Sequence, residues 1–166
     1  MFKEISILLV DDNKDTQEYM SFLLQEECKE LILAYDGIEG ISKFKKYKPD
    51  LIITDLNMPQ MNGITMSKKI KKIDFNQPII LLTGYGDLSE LQEAINVGLN
   101  AFISKPIENI EIVVNAINTV LHNKKKVNGF IPNVNNEDIN TIEIINDILQ
   151  DRNEYIDYPA YIESTN

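Results

Sequence analysis

The stretch SILLVDDNKD, Ser6 to Asp15, carries an apolar run straight into two adjacent carboxylates, Asp11 and Asp12. A third carboxylate, Asp55, ends a second apolar run, LIITD. Carboxylates brought together repel one another unless a cation neutralises them. Hard oxygen ligands in an open, wet site suit Mg²⁺, which keeps several waters and takes few protein carboxylates. Thr83 closes the run IILLT, and Lys105 follows AFIS. A hydroxyl and an ammonium are donors for the oxygens of an anion. A cation site, a carboxylate, a hydroxyl and a lysine together suit a phosphoryl group. Such a group needs charge neutralisation and in-line positioning more than acid–base chemistry.

Those residues meet only if the chain positions them. Five short apolar runs read as strands: residues 5–10, 31–34, 51–54, 78–83 and 101–104. Four show little alternation, as expected of parallel strands buried on both faces. Amphipathic segments lie between them. Asp15 and Glu18 have capping-box spacing, with Tyr19, Phe22 and Leu23 on one face of the helix that follows. Asp87 and Glu90 repeat the device before Leu88, Leu91, Ala94 and Ile95. Residues 62–72 place Met66, Ile70 and Ile73 at helical spacing, and residues 107–121 do so with Ile110, Val113, Val114, Ile117 and Leu121. Strands alternating with helices predict a doubly wound parallel α/β sheet. Ligands of such sheets sit at the carboxyl ends of the strands, where the acidic residues lie.

The 166-residue chain is 43% hydrophobic with a net charge of -10, enough for one domain with some excess. Arg152 is the only arginine. Both facts argue against direct nucleic-acid binding. The lone Cys28 fits a reduced, cytoplasmic setting. No signal peptide is expected from MFKEISILLV, and no run approaches the length of a membrane span. Charge is divided unevenly. Residues 1–126 hold 18 acidic and 15 basic residues, whereas residues 127–166 hold 8 acidic and 1 basic. The reading is a domain over 1–126, a linker over 127–136 and an acidic tail over 137–166. The stripe Ile139, Ile142, Ile145, Ile148 and Leu149 predicts an amphipathic helix near 137–152.

VDDN, DLNMPQMNG, LLTG and ISKP occur in order on successive predicted strands. With this ordered set, residues 4–121 resemble a response-regulator receiver domain of two-component signalling, of the chemotaxis-regulator kind. The resemblance implies a flavodoxin-like (βα)₅ fold with strand order 2-1-3-4-5. It implies a phosphorylatable switch: Asp55 takes a phosphoryl group from a sensor histidine kinase or a histidine phosphotransfer protein, as in a phosphorelay. It assigns Mg²⁺ to Asp12, Asp55 and the backbone carbonyl of Asn57, with Asp11 acting through metal-bound water. Thr83, Gly84 and Lys105 would receive the phosphoryl group, and Lys105 would pair with Asp55. Thr83 and Phe102 occupy the switch positions, with Phe where many relatives have Tyr. Asn57 and Tyr85 stand where the family tunes dephosphorylation. The bond between Lys105 and Pro106 is expected to be cis.

Some residues carry no function in this reading. His122 and Lys124 to Lys126 read as a helix end, and Cys28 as a helix residue near a turn. The resemblance leaves the output open. The chain reads as a single-domain regulator or as the front of a longer regulator with a separate output domain. The tail helix either docks on its own domain or pairs with a second chain or partner helix, and the face of the fourth helix, fifth strand and fifth helix is a second surface that suits dimerisation. An aspartyl-phosphate phosphatase or phosphotransferase could use a similar mouth, but such enzymes generally place an acid two residues after the nucleophile. Asn57 stands there, so the protein is expected to catalyse only its own phosphorylation and dephosphorylation.

Overall fold

A computed structural model describes residues 2–84, 88–122 and 131–133. Strands and helices alternate: β1 Phe2–Val10, α1 Lys14–Leu24, β2 Cys28–Ala34, α2 Gly37–Tyr47, β3 Leu51–Asp55 and α3 Gly63–Ile73. They continue as β4 Ile79–Thr83, α4 Leu88–Val97, β5 Ala101–Ser104, α5 Ile110–His122 and β6 Ile131–Asn133. The strands are all parallel, in the order β2-β1-β3-β4-β5-β6. The expected five-stranded order is present, and a sixth strand is added. It lies inside the segment 127–136 read as a linker. It pairs Ile131, Pro132 and Asn133 with Ala101, Phe102 and Ile103. The outer edge of β5, part of one expected dimer surface, is therefore occupied over these residues. The predicted tail helix near 137–152 lies outside the described residues. Among the described residues, no helix is long and apolar enough to cross a membrane.

Every residue of β3 and β4 is buried, because helices cover both faces of the sheet. Side chains alternate between those faces. Leu9, Ile53, Ile80, Leu82, Ala101 and Ile103 join one core with Met20 and Leu24 of α1 and Val113, Ala116, Ile117 and Val120 of α5. Residues of the other parity, including Val10, Leu81 and Phe102, face α2, α3 and α4. Gly40 of α2 sits against Val10 and Met66 so closely that an added Cβ would lie 2.6 Å from the Met66 sulfur.

Several local expectations are corrected. Asn13, not Asp15, caps α1: its side chain accepts from the Thr16 amide at 2.9 Å. Asp15 falls in the first turn, where a carboxylate still favours the helix dipole. Tyr19 and Phe22 are exposed, and α1 buries Gln17, Met20 and Leu24 instead. Periodicity missed that face because its first position is polar. Cys28 begins β2 and is buried, rather than lying in a helix. In α3, Met66 and Ile70 are buried but Ile73 is exposed at the last residue. The last helix begins at Ile110 rather than 107, and buries Ala116 and Val120 besides Val113 and Ile117. His122 does end that helix, with its Nδ1 2.7 Å from the Asn118 carbonyl.

Candidate functional site

The carboxyl ends of β1, β3, β4 and β5 form one mouth. Asp11 follows β1, and its amide donates to the Ala34 carbonyl at 3.1 Å, so β1 keeps its register past Val10. Asp55 is the last residue of β3. Lys105 follows β5, with its amide donating to the Thr83 carbonyl at 2.7 Å. By alternation Asp11, Asp55 and Lys105 leave their strands on the side of α1 and α5, in line with Leu9, Ile53 and Ile103. Parity thus makes them converge.

The Lys105 ammonium bridges the two carboxylates. It lies 3.0 Å from Asp11 Oδ2 and 2.5 Å from Asp55 Oδ1. The contact to Asp11 was not anticipated; the shared parity of the two positions is the sequence signal that would have shown it. Asp11 is wholly buried. Its second oxygen accepts from the Asn13 amide at 2.9 Å, so the same residue anchors the loop whose side chain caps α1. Gln17 donates to the carbonyls of Asp11 at 2.9 Å and Ala34 at 2.6 Å, fastening the ends of β1 and β2 to α1. That explains a buried glutamine that periodicity could not place.

Asp55 is buried, with its other oxygen accepting from the Asn57 amide at 3.0 Å. Behind it, Gly63 is required by close approach. A Cβ there would lie 2.1 Å from the Asp55 carbonyl oxygen. The Gly63 amide donates to the Leu56 carbonyl at 2.9 Å, and Asn62 caps α3 from the next position. The NMPQMNG stretch therefore closes a turn that presses α3 against the end of β3.

Burial is the larger influence on Asp55 and pushes its carboxyl above the usual range, opposed by the Lys105 ammonium. At Lys105 burial alone would lower the ammonium, but its hydrogen bonds to the carboxylates of Asp55 and Asp11 reverse this and raise it. Lys105 therefore remains cationic. Asp12 is exposed, and an oxygen from each of Asp11, Asp12 and Asp55 falls within 4.8 Å of the others. Three carboxylate donors at a solvent-open mouth fit a hard divalent ion such as Mg²⁺.

Thr83 is buried, and its hydroxyl donates to the Gly84 carbonyl at 3.2 Å. Gly84 is exposed, and among the described residues a Cβ there would meet nothing within 4 Å. Phe102 is buried and pairs in register with Leu81. Thr83 and Phe102 thus share the sheet face toward α4, opposite to the lysine and the aspartates. The Lys105–Pro106 peptide is cis, as expected. Tyr85 lies outside the described residues.

Residues 7–118 match the family described as the response regulator receiver domain. The chemotaxis protein CheY of Bacillus subtilis is 36% identical over 117 residues, which cover 70% of this chain and 97% of that protein. Sporulation initiation phosphotransferase F of the same organism is 32% identical over 106 residues, covering 64% of this chain and 86% of that one. A solved receiver-domain protein from Clostridium thermocellum aligns with a TM-score of 0.68 at 31% identity, over 73% of this chain and 97% of its own. Fold, mouth and relatives agree: the chain belongs to the response regulator receiver domain family, whose members are phosphorylatable signalling switches.

Proposed function

We propose that Asp55 is the phosphoacceptor, and that the switch is thrown by transfer from the phosphohistidine of a sensor kinase or phosphotransfer protein. An Asp55 oxygen attacks phosphorus, the P–O bond forms, and the P–N bond breaks with its electrons leaving on the imidazole. The observation that carries this reading is the Lys105 bridge. A lysine at the end of β5 is held at both carboxylates, placed to neutralise a phosphoryl oxygen as the Asp55 oxygen is consumed.

Asp11, Asp12 and Asp55, with the Asn57 carbonyl, would hold Mg²⁺. When bound, the ion offsets the repulsion between the carboxylates and the incoming anion. Thr83 supplies a hydroxyl to a second phosphoryl oxygen, and Gly84 leaves the approach open. The shared face of Thr83 and Phe102 supports a switch in which a turn of the hydroxyl toward the phosphoryl group alters the space beside the ring. Phe102 has no hydroxyl, so packing alone drives that step. Asn57 and Tyr85 tune access of water to the acyl phosphate. A reduced, cytoplasmic setting suits the single cysteine, Cys28.

Acetyl phosphate with Mg²⁺, followed by intact mass, tests this directly. The wild-type chain should gain one phosphoryl group and Asp55→Asn none. An adduct that survives Asp55→Asn removes the assignment. Steady release of phosphate from ordinary monoesters, lost in Asp55→Asn, would instead support the phosphatase reading.

A further inference from the structure

The protein carries a net charge of -10, yet the C-terminal turns of α2 and α3 are rich in lysine, with Asp74 the exposed acidic residue beside them. α2 and α3 pack side by side. Both run back against the parallel strands, so their C-terminal ends lie at the opposite end of the sheet from the mouth. Lys43 and Lys68 on these helices are paired, with Glu39 and Glu93. Lys45, Lys46, Lys48, Lys69 and Lys72 are exposed and have no carboxylate partner among the described residues.

Apolar side chains stand among these lysines. Ile73 is 56% exposed and Phe75 is 70% exposed. Lys71 donates to the Phe75 carbonyl at 3.1 Å and lies 5.9 Å from its ring centroid, which holds that turn in place. Lysines near helix C-termini satisfy the helix dipole. The dipole does not require an isoleucine and a phenylalanine to stand in water beside them.

The same sequence contains the complement of this face. Residues 127–166 hold 8 acidic residues and 1 basic residue, and the apolar stripe predicted for 137–152 needs cover. We propose that the basic α2–α3 face is a docking surface for the acidic segment 137–152 of a second copy of the chain. Lys45, Lys46, Lys69 and Lys72 meet its carboxylates, and Ile73 and Phe75 meet its isoleucine stripe. Each copy offers one face and one segment, so a two-fold exchange closes with two equivalent contacts. The second contact forms at raised effective concentration, which makes the pair stronger than either contact alone. The proposal does not rest on the phosphoacceptor reading, because the face lies away from the mouth.

Sedimentation velocity of the full chain across a wide concentration range tests it. A monomer–dimer equilibrium weakened by salt is expected. The variant K45E/K46E/K69E/K72E should raise the dimer dissociation constant by about tenfold or more, because charge repulsion replaces attraction. I142S/I145S, on the other partner, should do the same. Both variants should keep the wild-type circular dichroism and the acetyl-phosphate adduct, so failure here is distinct from failure of the Asp55 assignment. A synthetic 137–152 peptide should dissociate the wild-type dimer and leave K45E/K46E/K69E/K72E unaffected. A monomer at every concentration overturns the proposal, as does a dimer indifferent to the charge reversal. Peptide binding without any dimer overturns it too, because the occupant would then be the chain's own segment or an acidic segment of another protein.

Discussion

The two sides of the sheet mouth are built differently. Toward α1 and α5, Asp11, Asp55 and Lys105 are tied to one another, and the backbone amides of Asn13 and Asn57 hold the carboxylates from behind. Gly63 closes the space beneath Asp55. Toward α4, the Thr83 hydroxyl bonds the next carbonyl along the chain, and a Cβ on Gly84 would meet none of the described residues. One side is a fixed cradle for charge; the other leaves a hydroxyl free to exchange partners at low cost. A switch needs both, because a phosphoryl group must be held by something rigid and sensed by something that can move.

Asp55→Asn gives the largest break in this contrast. It should abolish the phosphoryl adduct outright, yet raise thermal stability near neutral pH in chelator. The sign follows from the raised carboxyl of Asp55. A carboxyl that titrates higher when folded binds its proton more tightly in the native state. Wild-type stability from this group is therefore greatest on the acid side and falls as pH rises through the shifted range. The neutral amide removes that loss. A melting temperature in Asp55→Asn that falls at neutral pH, with no change in the slope against pH, would contradict the cradle as drawn.

Lys105→Ala attacks the same side through its cation. It leaves the wholly buried Asp11 without its counter-charge, and removing one partner of a buried pair costs about 3–5 kcal/mol. With Lys105 27% exposed at its side chain, the lower end of that range is expected. The loss should shrink as pH is lowered, since protonating the raised carboxyl of Asp55 relieves its repulsion with Asp11. Chemical denaturation at two pH values reads both effects. Gly63→Ala comes next. The Asp55 carbonyl cannot yield as a flexible side chain would, so α3 must shift, with a cost of about 2 kcal/mol. The phosphorylation rate should fall with it, because Asp55 moves.

How much of this was legible in the sequence follows the same division. Buried strands announce themselves as unbroken apolar runs, and β3, β4 and β5 fell within a residue of expectation. Asp11, Asp55 and Lys105 could be read because each ends such a run. The surface of α1 could not. Its buried face includes Gln17, whose amide spans the ends of two strands, while Tyr19 and Phe22 obey helical spacing and remain in water. Hydrophobic periodicity has no means of telling a buried polar bridge from a solvated residue. The added strand β6 was hidden for a related reason. Three residues containing a proline carry too little pattern to stand out as a strand.

Thr83→Ala is the smallest perturbation and the sharpest test of the contrast. The hydroxyl's bond to Gly84 is local and at 3.2 Å long for its kind, so losing it should cost less than about 1 kcal/mol. Phosphorylation should persist at a reduced rate, because Asp55 and Lys105 are untouched. What should vanish is the coupling to Phe102. Thr83 and the ring share a sheet face, two residues apart along β4 from the Leu81 position that pairs with Phe102. Aromatic resonances of Phe102, followed by NMR before and after phosphorylation, should shift in the wild type and stay in place in Thr83→Ala. An equal shift in both would mean that the ring responds to the lysine side of the mouth, and the fixed cradle would then be the sensing element as well.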